Sequence, residues 1–117
     1  MKVKPITQHE QVDPGLPGTS GVKMRMLIGP QDGARIFHMR QFEVAAGGHT
    51  PHHQHDYEHE VLILSGRGAL RADDGDKPLK AGDVVWIEPN ARHQFLNTGT
   101  DPLEFICLIP APQNCAL

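Results

Sequence analysis

The sequence has no long apolar run, and this lack excludes a helix that spans a membrane. Its longest uninterrupted apolar stretches, such as Val61–Leu64 and Phe105–Ile109, are far shorter than a membrane span, which needs about 20 residues. Residues 1–10 (MKVKPITQHE) also lack the apolar stretch of a secretory signal. These features predict a cytoplasmic protein with no membrane partner.

The chain also lacks an excess of charge of either sign. Eleven Lys and Arg residues stand against 14 Asp and Glu residues, and the formal net charge is −3. No cluster of Lys and Arg occurs, although nucleic-acid-binding domains carry one. We therefore expect no nucleic-acid partner.

Cysteine is scarce as well. Cys107 and Cys115 are the two cysteines of the sequence, too few for the disulfide framework of a small secreted domain. In a reducing compartment such residues remain thiols, so we expect both to be free.

A helical period is missing from every window of about a dozen residues, and short strand-like segments take its place. Gly and Pro occupy 12 and 10 positions and divide the chain into segments that suit strands. The segments rich in β-branched, aromatic and other apolar residues are 24–28, 35–44, 60–64, 84–87, 93–97 and 103–109. Short strands at even spacing predict an all-β sandwich or barrel with little or no helix.

The turn residues and the polar ends suggest one domain with two extensions. Residues 1–22 are polar and rich in Pro and Gly and are expected to form an N-terminal arm, residues 23–110 the barrel, and residues 111–117 a C-terminal tail. The sequence Asp-Asp-Gly-Asp at 73–76 predicts the tip of a hairpin that spans 67–80. Residues 97–102 are interpreted as a second, longer hairpin turn.

Histidine is the residue that the chain has in excess: five of its eight histidines lie within residues 49–59. Side chains two apart on an extended backbone point to the same side, so His53 and His55 can both face one ion. His59 has the same parity, and a bend could return it to that ion. Three or four converging imidazoles would suit a transition metal, although a bare H-x-H pair is more often two solvated loop histidines.

Two separated motifs give this pair more weight. Gly47, His53-x-His55, His59 and Gly66 form the first, and Gly82, Pro89-Asn90, His93 and Asn97 form the second. Together they resemble the paired motifs of the cupin superfamily over residues 35–110. The resemblance implies a double-stranded β-helix, or jelly-roll, barrel, with His93 as a further metal ligand.

The match departs from the family pattern at two positions. Either His59 or Glu60 could occupy the usual glutamate position, but six residues separate His59 from Gly66 and five separate Glu60 from it. Strand parity also favours His59, because Glu60 would point away if His59 points inward. Asn90 stands where the second motif of the family has a glycine after its proline. Asparagine tolerates the left-handed backbone that we expect at this position.

The string P-x-H-x-H-x-x-E-H-E at 51–60 and the E-P-N segment at 88–90 are similar to small single-domain cupins with four histidine ligands. This resemblance implies that His53, His55, His59 and His93 hold one divalent transition metal per chain. It favours manganese, with Fe, Ni, Cu or Zn as alternatives. It also implies a homodimer, in which residues 1–22 could cross to the partner.

Parity also predicts which side chains line the pocket beside the metal. Phe95 shares a face with His93, and Phe105 and Cys107 share a face of the last strand. Together with Ile63, these residues are the candidate pocket lining. His49 and His38 could orient a ligand or occupy ordinary positions, and His52 is expected to face outward.

The leading functional hypothesis is a metal-dependent oxidoreductase of the dioxygenase kind, acting on a small oxygenated or unsaturated molecule. A non-catalytic small-ligand-binding cupin, in which the metal is structural or anchors a ligand, is one alternative. A redox-silent isomerase or hydrolase that uses the metal as a Lewis acid is another. The sequence contains no feature that identifies the substrate or catalytic residues.

Overall fold

The computed structural model describes residues 1–111. In this range the helical residues are confined to two 3-10 turns, Ile6–Gln8 and Pro30–Asp32, and no helix is long and apolar enough to cross a membrane. Eight strands make up the rest of the regular structure: β1 (Ser20–Ile28), β2 (Phe37–His49), β3 (His59–Ser65), β4 (Arg67–Ala72), β5 (Lys77–Lys80), β6 (Val84–Ile87), β7 (His93–Asn97) and β8 (Leu103–Pro110).

The eight strands form one curled antiparallel sheet. Its order is β5-β4-β7-β2-β8-β3-β6, and β1 pairs with β2 outside this path. The 13-residue strand β2 bends the sheet, because it pairs with β1 and β8 along most of its length and with β7 at His49. The predicted all-β barrel with little helix is confirmed.

The core lies inside this curl and follows the alternation of the strands. In β8, Leu103, Phe105, Cys107 and Ile109 are buried and the residues between them are only partly covered. The ring of Phe105 stacks on Phe95 with centroids 4.6 Å apart and lies 5.4 Å from Phe42. Each buried side chain of this size stabilises the fold by roughly 1.5–3 kcal/mol, so these alternating positions fix which face of each strand points inward.

The two predicted turns have different outcomes. Residues 73–76 connect β4 to β5, which pair directly, so the predicted hairpin is confirmed. Residues 97–102 connect β7 to β8, but these strands lie on opposite sides of β2, so the hairpin interpretation was wrong. The segment is an arch, held by buried Asn97, whose Nδ2 donates to the carbonyls of Val44 and Asp101, each at 2.8 Å.

The N-terminal segment packs against the barrel of its own chain. Val12 forms a β-bridge with Met24, and Lys2 Nζ donates to the Leu27 carbonyl at 2.8 Å. Strand β1 begins at Ser20, inside the range 1–22 that the sequence assigned to the arm.

Cys107 is a buried thiol that forms no disulfide among the described residues, as the sequence predicts. Cys115 and most of the tail predicted at 111–117 lie outside the described residues.

Candidate metal centre

The site is built on an antiparallel pairing between the segment that follows β2 and the start of β7. Thr50 N donates to the Phe95 carbonyl at 3.0 Å, and Phe95 N donates to Thr50 Oγ1 at 2.9 Å. Three residues later, His53 and His93 exchange both backbone hydrogen bonds, at 3.1 and 2.9 Å. Directly opposed residues in such a pair project to the same face, so the two imidazoles meet.

The turn before β7 brings His55 to the same place. Asn90 N donates to the His55 carbonyl at 2.6 Å, which ties the H-x-H segment to the turn. Asn90 has a φ of 68°, the left-handed backbone that the sequence predicted at this position. An L residue with a branched side chain would be strained here.

His59 reaches the site from a third direction, at the first position of β3. It pairs with Ile87 of β6 and is only 1% exposed, whereas the adjacent Glu60 is exposed on the outer face of the sheet. The alternation of β3 thus directs the imidazole inward and the carboxylate outward, as the parity of the sequence predicts.

The structure brings the four predicted ligands together. One nitrogen from each of His53, His55 and His93 lies within 4.8 Å of the others, close to the maximum of about 4.2 Å for two imidazoles on one ion. His59 Nε2 lies 2.5 Å from His55 Nε2, and its ring centroid is 5.3 Å from that of His93. The first three histidines could hold a metal ion, and His59 lies next to them.

The ring nitrogens of this cluster fit a cation. His93 Nδ1 lies 2.9 Å from the Ala91 carbonyl; an Nδ1–H that donates to it leaves the Nε2 lone pair available. His53 Nε2 is buried and has no hydrogen-bond partner in the part of the chain that the structure describes. A buried polar atom without a partner is costly, and a bound ion would satisfy it.

The surroundings keep two of these imidazoles neutral. Burial, and then the neighbouring His55 and His93, lower the pKa of His53 to about 4. Burial, followed by His55 and the guanidinium of Arg40, lowers the pKa of His59 to about 2. A metal binds only the neutral ring, so both rings are already in the form that a metal requires.

Sequence reasoning missed two residues that contact the cluster. The Tyr57 ring stacks on His55, with centroids 4.6 Å apart and planes inclined by 6°, and Arg40 is fully buried behind His59. Parity could have found both. Tyr57 has the same parity as His55 and His59. Arg40 has the same parity as Phe42 and Val44, the inward residues of β2.

The four residues expected to line a pocket lie in the hydrophobic core. Phe95, Phe105, Cys107 and Ile63 are each at most 2% exposed. Two of them contact the histidines: the Phe95 ring centroid lies 6.4 Å from that of His93, and Cys107 Sγ lies 3.0 Å from His59 Nδ1. Their contact with a substrate stays a prediction.

Three histidines near the cluster in the sequence or in β2 stand in other surroundings. His52 is exposed, as its parity predicts. His38 Nε2 lies 3.1 Å from the Ala34 carbonyl, and His49 Nδ1 lies 3.2 Å from the Thr50 carbonyl and 3.4 Å from Gln94 Nε2. These contacts are those of ordinary structural positions.

The lowered pKa values predict how acid affects the metal-free protein. Above pH 6.5, His53 and His59 are neutral in both the folded and the unfolded chain. Below it the unfolded chain takes up protons that the folded chain does not, so the free energy of unfolding falls from pH 6.5 to about 4 for His53 and further for His59. We expect urea unfolding to show lower stability at pH 5 than at pH 7.5.

His59→Gln should make this pH dependence clearly shallower, whereas the matched change His52→Gln at an exposed position should leave it intact. An equal loss of stability between pH 7.5 and 5 in wild type and His59→Gln would contradict the assignment.

Comparison with known proteins agrees with the geometry of the barrel. Residues 40–109 match the model of the Cupin domain. The structure of the polyketide cyclase RemF from Streptomyces resistomycificus superposes with a TM-score of 0.91 at 29% sequence identity, over 100% of this chain and 87% of that one.

Two sequence relatives carry functional names of their own. An oxalate-binding protein from Thermotoga maritima is 32% identical over 96 residues, which cover 79% of this chain and 78% of that protein. A 1-methylthio-D-xylulose 5-phosphate methylsulfurylase from Rhodospirillum rubrum is 33% identical over 76 residues, which cover 65% of this chain and 49% of the enzyme. The chain thus matches about half the length of that relative. Since the domain match covers more than half of the sequence, this chain belongs to the cupin family.

Proposed function

We propose that this cupin is a metal-dependent oxidoreductase of the dioxygenase kind, acting on a small oxygenated or unsaturated molecule. The observation that carries the proposal is the convergence of imidazoles from three chain segments, with His53 Nε2 buried and without a partner among residues 1–111. Bound there, a divalent transition metal would supply a Lewis acid or a redox centre. We favour manganese, with Fe, Ni, Cu or Zn as alternatives.

In this proposal the ligands are His53, His55, His59 and His93. Contacts within the protein position their rings without a metal. The backbone pairing of His53 with His93 and the hydrogen bond from Asn90 to the His55 carbonyl position three of the rings. Four imidazoles leave coordination positions open on an ion that prefers six ligands, and a substrate could occupy them.

The charge around the site favours an anionic or oxygen-donor substrate. Neutral imidazoles offset none of the charge of a divalent ion, and the buried guanidinium of Arg40 adds a second positive centre behind His59. An anion bound at the ion would be attracted by both charges. The name of the Thermotoga maritima relative, an oxalate-binding protein, is consistent with such a ligand.

Two other functions have specific support. The same relative is named for binding alone, which favours a non-catalytic module in which the metal anchors a small ligand. The polyketide cyclase RemF, at a TM-score of 0.91, is named for a cyclisation, which favours Lewis-acid chemistry without a change of redox state. An isomerase or hydrolase would belong to this second group.

Metal content tests the site itself. We expect protein purified without added metal to contain about one divalent transition metal per chain by elemental analysis. His53→Ala should weaken metal binding by at least about 10-fold, because it removes one ligand. His52→Ala, at the exposed neighbouring position, is the matched control and should bind metal like wild type. Equal metal content in the two variants would refute the ligand set.

Oxygen uptake tests the reaction. With a panel of small oxygenated anions and unsaturated molecules, the metal-loaded protein should consume oxygen, and His53→Ala should not. Turnover without oxygen uptake would replace the dioxygenase proposal by Lewis-acid chemistry. Calorimetric binding without turnover across the panel, tested with several metals, would replace it by the binding module.

We also propose that the protein is a homodimer, which forms through the outer apolar face of the sheet. This face consists of Met39, Leu62, Val84, Trp86, Ile106 and Leu108. Val84 and Trp86 are 80% and 61% exposed, and contiguous exposed apolar patches of this kind mark interfaces. The acidic Glu60 borders the face near Trp86, and Lys2 and Lys4 border it on the side of the N-terminal segment. A two-fold axis through the face would place these opposite charges together.

Sedimentation velocity tests this assembly. Wild type should sediment as a dimer, and Val84→Glu should be monomeric, because the interface would bury an unpaired charge. Ala46→Glu, at an exposed position near the end of β2, is the control and should remain dimeric. A monomeric wild type would refute the dimer, and a dimeric Val84→Glu would place the interface elsewhere.

A further inference from the structure

We propose that Cys107, held by Arg40, is a positioning residue for His59: its sulfur accepts the Nδ1–H of this ring and so directs the Nε2 lone pair toward the other histidines. The inference rests on the proposed metal site for its consequence. Its geometry, however, belongs to the metal-free chain, so it can be tested there.

Polar groups on different strands contact the Cys107 sulfur. His59 Nδ1 lies 3.0 Å from Sγ, and Arg40 Nη2 donates to Sγ at 3.3 Å. On a third side, Sγ lies 3.9 Å from the Leu108 carbonyl, within the range of a thiol hydrogen bond. These contacts bring two nitrogens and one carbonyl oxygen close to the sulfur.

The number of protons limits which group can donate in each contact, and we adopt the arrangement in which each of these contacts contains one proton. A thiol has one hydrogen to donate, and its sulfur is a weak acceptor. If S–H points to the Leu108 carbonyl, then Nδ1–H of His59 and Nη2–H of Arg40 both donate to sulfur, and each contact contains one proton. If S–H instead points to His59 Nδ1, the Leu108 contact has no proton and Nε2 carries the ring hydrogen. That tautomer would aim a proton at the place where a metal would bind.

The register of the sheet holds these three residues together. Arg40 of β2 and Cys107 of β8 are directly opposite each other, and Cys107 is also opposite Val61 of β3, two residues after His59. The guanidinium of Arg40 lies over the Phe42 ring, 4.9 Å from its centroid. Three adjacent strands therefore place a donor, an acceptor and an imidazole in a line behind the cluster.

Because these residues are buried, the contact with sulfur determines which nitrogen of His59 carries the hydrogen. Arg40, His59 and Cys107 are 0%, 1% and 2% exposed, so water cannot readily replace Cys107 as the acceptor. His93 is oriented differently, since its Nδ1 lies against the backbone carbonyl of Ala91, which no substitution removes. The orientation of His59, in contrast, depends on a side chain that can be replaced.

The test compares Cys107→Ala, which removes the acceptor, with Cys107→Ser, which keeps a hydroxyl acceptor at the same position. In nitrogen-15 NMR spectra of the metal-free protein at pH 7.5, His59 should carry its hydrogen on Nδ1 in wild type and in Cys107→Ser. Cys107→Ala should move a measurable fraction of the hydrogen to Nε2. In chelator competition, metal affinity should fall by about 10- to 100-fold in Cys107→Ala and by clearly less in Cys107→Ser.

Ile109→Val is the control for lost packing, because Ile109 is the next inward residue of β8 and is 1% exposed. It should change neither the tautomer nor the metal affinity. Wild-type His59 with its hydrogen on Nε2 would overturn the inference, and so would an unchanged tautomer in Cys107→Ala. If Cys107→Ala does not fold, the wild-type tautomer and its retention in Cys107→Ser decide the question.

The outcomes also separate this inference from the proposed function. A wild-type protein that binds no metal but keeps the Nδ1–H tautomer would refute the metal site and leave the positioning contact intact. A protein that binds metal with His59 in the other tautomer would refute the contact alone.

Discussion

The site depends on one constraint: the imidazoles of His53 and His59 must stay neutral where burial reduces their hydration. His59 is 1% exposed and has both His55 and the guanidinium of Arg40 as neighbours. Protonation would place a second positive charge beside Arg40 in this space with little hydration, and burial of an unpaired charge is expensive. The same burial that makes these two rings sensitive to acid keeps their nitrogens available as ligands, so the acid sensitivity of the fold and its capacity to hold a metal have a common physical cause.

The sheet meets this constraint through register rather than through a dedicated loop. His53 and His93 oppose each other directly, as do Arg40 and Cys107. A slip of one residue in either pairing would turn these side chains to the outer face. Phe42 and Phe105, which are also directly opposite each other and in ring contact, stabilise the register that aligns Arg40 with Cys107. Packing in the hydrophobic core thus stabilises the strand register on which the contact of Arg40 with Cys107 depends.

The sequence was informative wherever a local pattern decides the outcome. Alternation places His59 inward and Glu60 outward, and the left-handed backbone of Asn90 follows from its place in the motif. Prediction from the sequence failed where the structure depends on which distant strands become neighbours. The segment 97–102 has the composition of a hairpin turn, yet its flanking strands lie on opposite sides of β2. The contact of Arg40 with Cys107 likewise requires the pairing of β2 with β8, which no single segment specifies.

A buried guanidinium beside a candidate metal centre has an electrostatic consequence. Arg40 and a divalent ion would repel each other, and the repulsion would be stronger here than in water because little solvent separates them. The neutral imidazole of His59 and the sulfur of Cys107 lie between the two charges and offset neither fully. In the proposed metal site, an anion bound to the ion would compensate the remaining positive potential, and this is the physical reason for the proposed preference for negatively charged ligands.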